Sequence, residues 1–126
     1  TLQQYDSDGT LLWSRELDLP ELDDEFQYFL ERNRDNQSPS MYMLQYVSSM
    51  EQREEGLYLL LNIPDTYSPT LVFVNHAGDI ERKMTFEGMD AHPNHFSMSP
   101  DGEWIYFIDY TAGAVYRSSL HSATGR

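Results

Sequence analysis

Apolar and polar residues alternate along most of this chain, and the alternation gives way to a helical period at one place. From Thr10 to Leu17, Leu11, Trp13, Arg15 and Leu17 fall on one face, with Leu12, Ser14 and Glu16 on the other. That is the two-residue period of a half-buried strand. Gln3-Gln4-Tyr5 and the turn Asp6-Ser7-Asp8-Gly9 precede it, so the segment predicts a hairpin whose turn uses the positive φ that Asp and Gly tolerate. Near 20–32 the pattern changes: Leu22, Phe26, Phe29 and Leu30 form one apolar stripe at helical spacing. Asp18 stands ahead of it, Pro20 suits a first turn, and Glu21, Asp23, Asp24 and Glu25 complement the positive end of the helix dipole. Arg32 and Arg34 stand at the other end, where cations are favoured. Residues 33–40 read as a polar loop, in which Asn36-Gln37-Ser38 is a glycosylation sequon of little specificity.

Strands dominate from residue 41 onward. Segments 41–50 and 56–63 flank a charged turn, Glu51-Gln52-Arg53-Glu54-Glu55. Leu57-Tyr58-Leu59-Leu60-Leu61 is apolar at every position, which places that strand between two layers instead of against water. After a loop at 64–69, residues 70–74, the turn Asn75-His76-Ala77-Gly78 and residues 79–86 predict a second hairpin. Three more strands are expected near 96–98, 103–108 and 114–120, the first two joined by Ser99-Pro100-Asp101-Gly102.

The hairpins form an internal repeat. Setting Gly9 on Gly78, 69 residues on, also pairs Leu2 with Leu71, Asp6 with Asn75, Leu11 with Ile80 and Leu17 with Phe86. One propeller blade takes roughly 40–50 residues, and the excess matches the helix and its flanks, which reads as an insertion. The spacing from Gly78 to Gly125 is 47 residues, a blade without insertion. The expected fold is mainly β: about two and a half antiparallel β-propeller-type blades with one inserted α-helix. Segment 1–17 ends one blade, 18–40 is the helical insertion, 41–87 a second blade and 88–126 most of a third. A closed propeller needs at least about four blades, so the expectation is a segment of a larger propeller, or a chain that closes by self-association through unpaired edges.

The segment from His92 to Leu120, with Ser99-Pro100-Asp101-Gly102 followed by Trp104-Ile105-Tyr106-Phe107, resembles the "SPDG…lY" blade element of several propeller families. The gluconolactonase and senescence-marker family, six-bladed metal-dependent hydrolases, carries Pro-Asn-Gly ahead of this strand, its Asn being a metal ligand. Asn94 stands at that place here, followed by His95 instead of Gly. The seven-bladed lactonases carry Pro-Arg-His-Phe; Pro93, His95 and Phe96 match, and Asn94 replaces the Arg. The remaining chain resembles six-bladed propellers of bacterial surface and periplasmic proteins, which implies a periplasmic or extracellular location. Fold resemblance does not carry function with it.

Composition narrows the chemistry. Twenty-one acids against eight bases give a net charge of −13, with Lys83 the single lysine. Such a surface repels phosphate backbones and excludes nucleic acid as a partner. With no cysteine, disulfides, thiolate zinc sites and cysteine nucleophiles are excluded. No apolar run approaches the roughly 20 residues of a membrane helix. Nine Tyr, six Phe and two Trp suit sheets packed face to face.

Four residues form the candidate site. In a propeller the loop entering the innermost strand and the loop between the second and third strands open on one face. His92, Asn94 and His95 belong to the first loop and Asp109 to the second, so all four are candidate ligand-binding residues. Ca²⁺ would take the oxygens of Asn94 and Asp109; Zn²⁺ would prefer His92 or His95. In a lactonase such a metal would polarise the ester carbonyl, with His95 as candidate general base. The competing reading is structural, because Asn, Asp and Pro are expected in turns for backbone reasons alone. His76 and His121 read as exposed. There is no Gly-rich phosphate loop, GxSxG or HExxH. The leading expectation is therefore a non-enzymatic propeller segment that binds a protein or small-molecule ligand. Its competitors are a piece of a metal-dependent ester hydrolase and a self-contained β-sheet domain with a packed helix.

Overall fold

The computed structural model describes residues 1–33, 46–61, 68–87, 89, 92–120 and 124–125. Its strands are β1 (Leu2–Tyr5), β2 (Leu11–Arg15), β3 (Val47–Arg53), β4 (Gly56–Leu61), β5 (Thr70–Val74), β6 (Ile80–Thr85), β7 (His95–Met98), β8 (Trp104–Asp109), β9 (Ala114–Ser119) and β10 (Thr124–Gly125). One helix, α1 (Pro20–Asn33), stands between β2 and β3. All pairings are antiparallel, and they form three separate sheets: β1-β2, then β10-β6-β5-β4-β3, then β7-β8-β9. None of them closes on itself among the described residues. The sequon at Asn36, Arg34, most of the loop at 64–69 and His121 lie outside the described residues.

The middle sheet is buried on both faces, as the all-apolar run in β4 predicts. Tyr58 and Leu60 of β4, Leu71 and Phe73 of β5, and Met84 of β6 pack with Phe96, Met98, Ile105 and Phe107 of the third sheet. Their sequence neighbours Leu59, Leu61, Val72 and Val74 face the other way and pack with Leu2, Trp13, Leu17, Leu19 and Leu22. Leu59 is 1% exposed and Leu60 0%, so adjacent residues are equally buried on opposite sides. Three layers result, with the first hairpin and α1 on one side of the middle sheet and β7-β8-β9 on the other.

The hairpin repeat holds in detail. The β1-β2 register slips between Gln4 and Tyr5, and the β5-β6 register slips between Phe73 and Val74, the positions that the Gly9–Gly78 alignment equates. Both turn glycines have left-handed backbones, φ +82° at Gly9 and +89° at Gly78, a region that glycine enters without a Cβ penalty.

Several expectations are corrected. The slip opposite Leu12 breaks the alternation of β2, so Leu11 and Leu12 are both exposed and burial falls on Trp13 and Leu17. β3 runs on to Arg53, which reduces the charged turn to Glu54-Glu55. Gly56, just after that turn, lies against β5: a Cβ there would collide with the Val74 carbonyl oxygen. The α1 stripe packs mainly through its first turn. Leu22 joins the core, Leu19 just ahead of the helix does the same, and Phe26 and Leu30 stay 39% and 44% exposed. The Glu21–Lys83 ion pair at 2.6 Å holds that end of α1 to β6. At the far end of the chain, Gly125 pairs with Met84 as part of a fifth strand on the middle sheet, which takes up the backbone groups at the edge of β6.

Candidate functional site

The candidate residues gather at one end of the third sheet. The Asn94 N–H donates to the Ile108 carbonyl at 3.1 Å, which starts the β7-β8 ladder, and His95 then pairs with Ile108. This brings 92–95 beside the turn that follows Asp109. Asp109 is buried, 7% exposed. One of its oxygens accepts the His92 N–H at 3.3 Å and the other accepts the Ala112 N–H at 3.0 Å. The Asn94 Oδ1 accepts the Tyr110 N–H at 3.4 Å. These carboxylate and amide oxygens thus tie two loops together, satisfying backbone donors that the turn leaves outside the ladder.

His95 begins β7 with its ring on the exposed side. Its Nδ1 lies 3.1 Å from the Ser49 Oγ of β3, and the ring stacks on Tyr110 with centroids 6.2 Å apart. The hydroxyl partner comes from the neighbouring sheet, which sequence reasoning missed. Ser49 is a small polar residue in a strand, 46 positions away in sequence. His76 is likewise more than an exposed turn residue, since its Nε2 meets the Glu54 carbonyl oxygen at 2.6 Å and bridges two turns.

The His95–Ser49 contact belongs to a longer seam. The Met98 N–H donates to the Glu51 Oε1 at 3.3 Å, and the Arg53 Nη2 donates to the Pro100 carbonyl at 3.0 Å. Partners 49, 51 and 53 on β3 meet 95 and 98 of β7 and Pro100 in the turn after it, in ascending order, so the two strands lie side by side and run the same way. The Arg53 guanidinium also sits 3.6 Å from Glu51.

Chemically, the cluster offers one hydroxyl–imidazole pair and two oxygen-bearing side chains that hold backbone amides. Among the described residues, no group of three or more His, Cys, Asp or Glu side chains is placed to hold a metal ion. No described helix is long and apolar enough to cross a membrane. Comparison with family models, curated proteins and solved structures finds no match to this chain.

Proposed function

We propose that this chain is a non-enzymatic scaffold unit of the β-propeller kind, whose sheets act as successive blades and whose loops present a surface to a ligand or partner. The observation that carries the reading is the seam between β3 and β7. Innermost strands of neighbouring blades lie side by side and run in one direction along a shared channel, and each blade continues outward by antiparallel neighbours. The stacked sheets, the repeated hairpin and the burial of the middle sheet on both faces support it. Asp109 and Asn94 favour a structural over a catalytic role, because both spend side-chain oxygens on backbone N–H groups.

The deciding experiment is a thermal-shift titration with Ca²⁺ and Zn²⁺, run beside a hydrolysis assay on simple lactones. A scaffold is expected to show no metal-dependent rise in Tm and no turnover. Metal-dependent stabilisation together with lactone hydrolysis, both lost in Asn94→Ala, would replace this reading with that of a metal-dependent ester hydrolase.

A further inference from the structure

Glycine follows aspartate twice in this chain, at Asp8-Gly9 and at Asp101-Gly102. In such a pair the backbone turns readily on the side chain, because glycine has no Cβ to crowd its own nitrogen. The Gly nitrogen attacks the Asp Cγ, one carboxyl oxygen leaves as water, and a five-membered succinimide closes. Water then adds to either carbonyl of the ring. One product restores aspartate; the other, isoaspartate, carries the main chain through the former side chain. The sequence consumes no oxidant and no reactant besides water.

Each pair sits in the turn of an antiparallel hairpin, β1-β2 or β7-β8, and the two attacking nitrogens are held alike. The Gly9 N–H donates to the Asp6 carbonyl at 3.1 Å and the Gly102 N–H to the Ser99 carbonyl at 2.9 Å. The carboxylates differ. The Asp101 Oδ1 accepts the Ser99 hydroxyl and, at 3.0 Å, the Glu103 N–H. The Ser99 oxygen in turn accepts the Trp104 N–H at 3.0 Å, and Arg53 ties the turn to β3 through the Pro100 carbonyl. These hydrogen bonds hold the Asp101 carboxyl below its usual range, and a carboxylate gives up its oxygen less readily than a carboxylic acid. Asp8 is exposed, and its carboxylate has no partner among the described residues. The acceptor in its turn is Asp6, whose Oδ1 takes the N–H groups of Asp8 and Thr10. Exposure at position 8 belongs to the turn itself. Its counterpart by the Gly9–Gly78 equivalence is Ala77, which is exposed although the middle sheet is covered on both faces.

We infer that Asp8 is a site of isoaspartate formation in the folded protein, and that Ser99 and its turn shield Asp101 from the same reaction. The carbon added to the main chain at residue 8 draws the Gly9 N–H away from the Asp6 carbonyl, so the β1-β2 turn loosens in the modified chain.

The test ages the purified chain at neutral pH and physiological temperature and reads isoaspartate at each site by peptide mapping with electron-transfer fragmentation. The same chain unfolded in guanidinium chloride is aged beside it. Unfolded, the two Asp-Gly pairs are expected to react at similar rates. Folded, isoaspartate at residue 8 should exceed that at 101 by about tenfold or more, since a reaction that needs local opening is slowed where the structure is held shut. Ser99→Ala should raise the yield at 101 and leave residue 8 as before; Arg53→Gln, which frees the turn at Pro100, gives a second reading should Ser99→Ala lose its circular dichroism. Asp8→Ala, which installs the residue of the second hairpin, should keep the fold and abolish the signal at 8. Equal yields at 8 and 101 in the folded chain overturn the inference, as does isoaspartate at neither site when the unfolded chain forms it at both. A folded Ser99→Ala chain with no gain at 101 overturns the shielding.

Discussion

Asp6 and Asn75 do the same work at two places in the chain. The Asp6 Oδ1 accepts the N–H groups of Asp8 and Thr10, each at 2.9 Å, and the Asn75 Oδ1 accepts those of Ala77 and Asp79, each at 3.0 Å. In both turns the glycine N–H returns to the carbonyl of that first residue. A side-chain oxygen that closes a turn in this way replaces water at donors the ladder does not reach. Asn75→Ala is expected to destabilise the fold by about 1–2 kcal/mol, read from the urea midpoint. The same loss in Asp6→Ala should be smaller, because the β1-β2 turn is exposed. A neutral Asn75→Ala would show that water serves that turn equally well.

The two turn glycines separate backbone strain from packing. Replacement by Ala places a Cβ on a left-handed backbone at either position, at a cost of about 1–2 kcal/mol. At Gly9 nothing lies within 4 Å of that Cβ, whereas at Gly78 it meets the Arg15 Cγ at 2.8 Å and the Trp13 Cε3 at 2.9 Å. Gly78→Ala should therefore lower Tm more than Gly9→Ala and also change Trp13 fluorescence. Equal effects would mean that the first hairpin moves aside freely.

Burial of the middle sheet on both faces gives a sharper test. Leu59→Ala and Leu60→Ala are each expected to cost about 2–5 kcal/mol, although they are adjacent and point in opposite directions. A sheet with one wet face would tolerate one of them. Denaturant unfolding of the two variants distinguishes these outcomes.

Asp109 is expected to behave as a structural residue. Asp109→Ala leaves the His92 and Ala112 N–H groups without their acceptor and should cost about 1–3 kcal/mol, with no change in any metal response. A variant of wild-type stability would remove the loop-tying role.

Two groups shape the pH dependence. The Ser99 hydroxyl, and after it the Glu103 N–H, hold the Asp101 carboxyl below its usual value of 3.8. Its stabilisation is therefore present above that value and is lost as pH falls through the lowered one. Burial, and after it the charge of Glu55, raise the Tyr58 phenol above 10.0. Stability from Tyr58 is complete below that value and is lost as pH climbs through the raised one. Asp101→Asn should flatten the acid limb of a Tm–pH profile and Tyr58→Phe the alkaline limb; unchanged limbs would contradict these assignments.

Much of the local structure was legible in the residues. Asp-x-x-Gly and Asn-x-x-Gly announce turns because few other side chains close them or tolerate positive φ. Pro20 and the acids after it mark the start of α1, and the five apolar residues 57–61 report a strand with no wet face. The sequence also lined up the two hairpins, down to the residues where both registers slip.

Tertiary structure decided what meets across distance. Nothing in a one-dimensional pattern puts Ser49 on His95, Arg53 on Pro100 or Glu21 on Lys83, because those contacts depend on how whole sheets stack. The alternation in β2 misread Leu11 for the same kind of reason: a slipped register is a property of two paired strands, not of one. Asp109 could be read as ligand or turn residue until the positions of the His92 and Ala112 amides were known. What a sequence determines by itself here is local, set by backbone dihedrals and side-chain period. Which polar groups remain available for function is set by packing, since only packing decides which of them already have a partner.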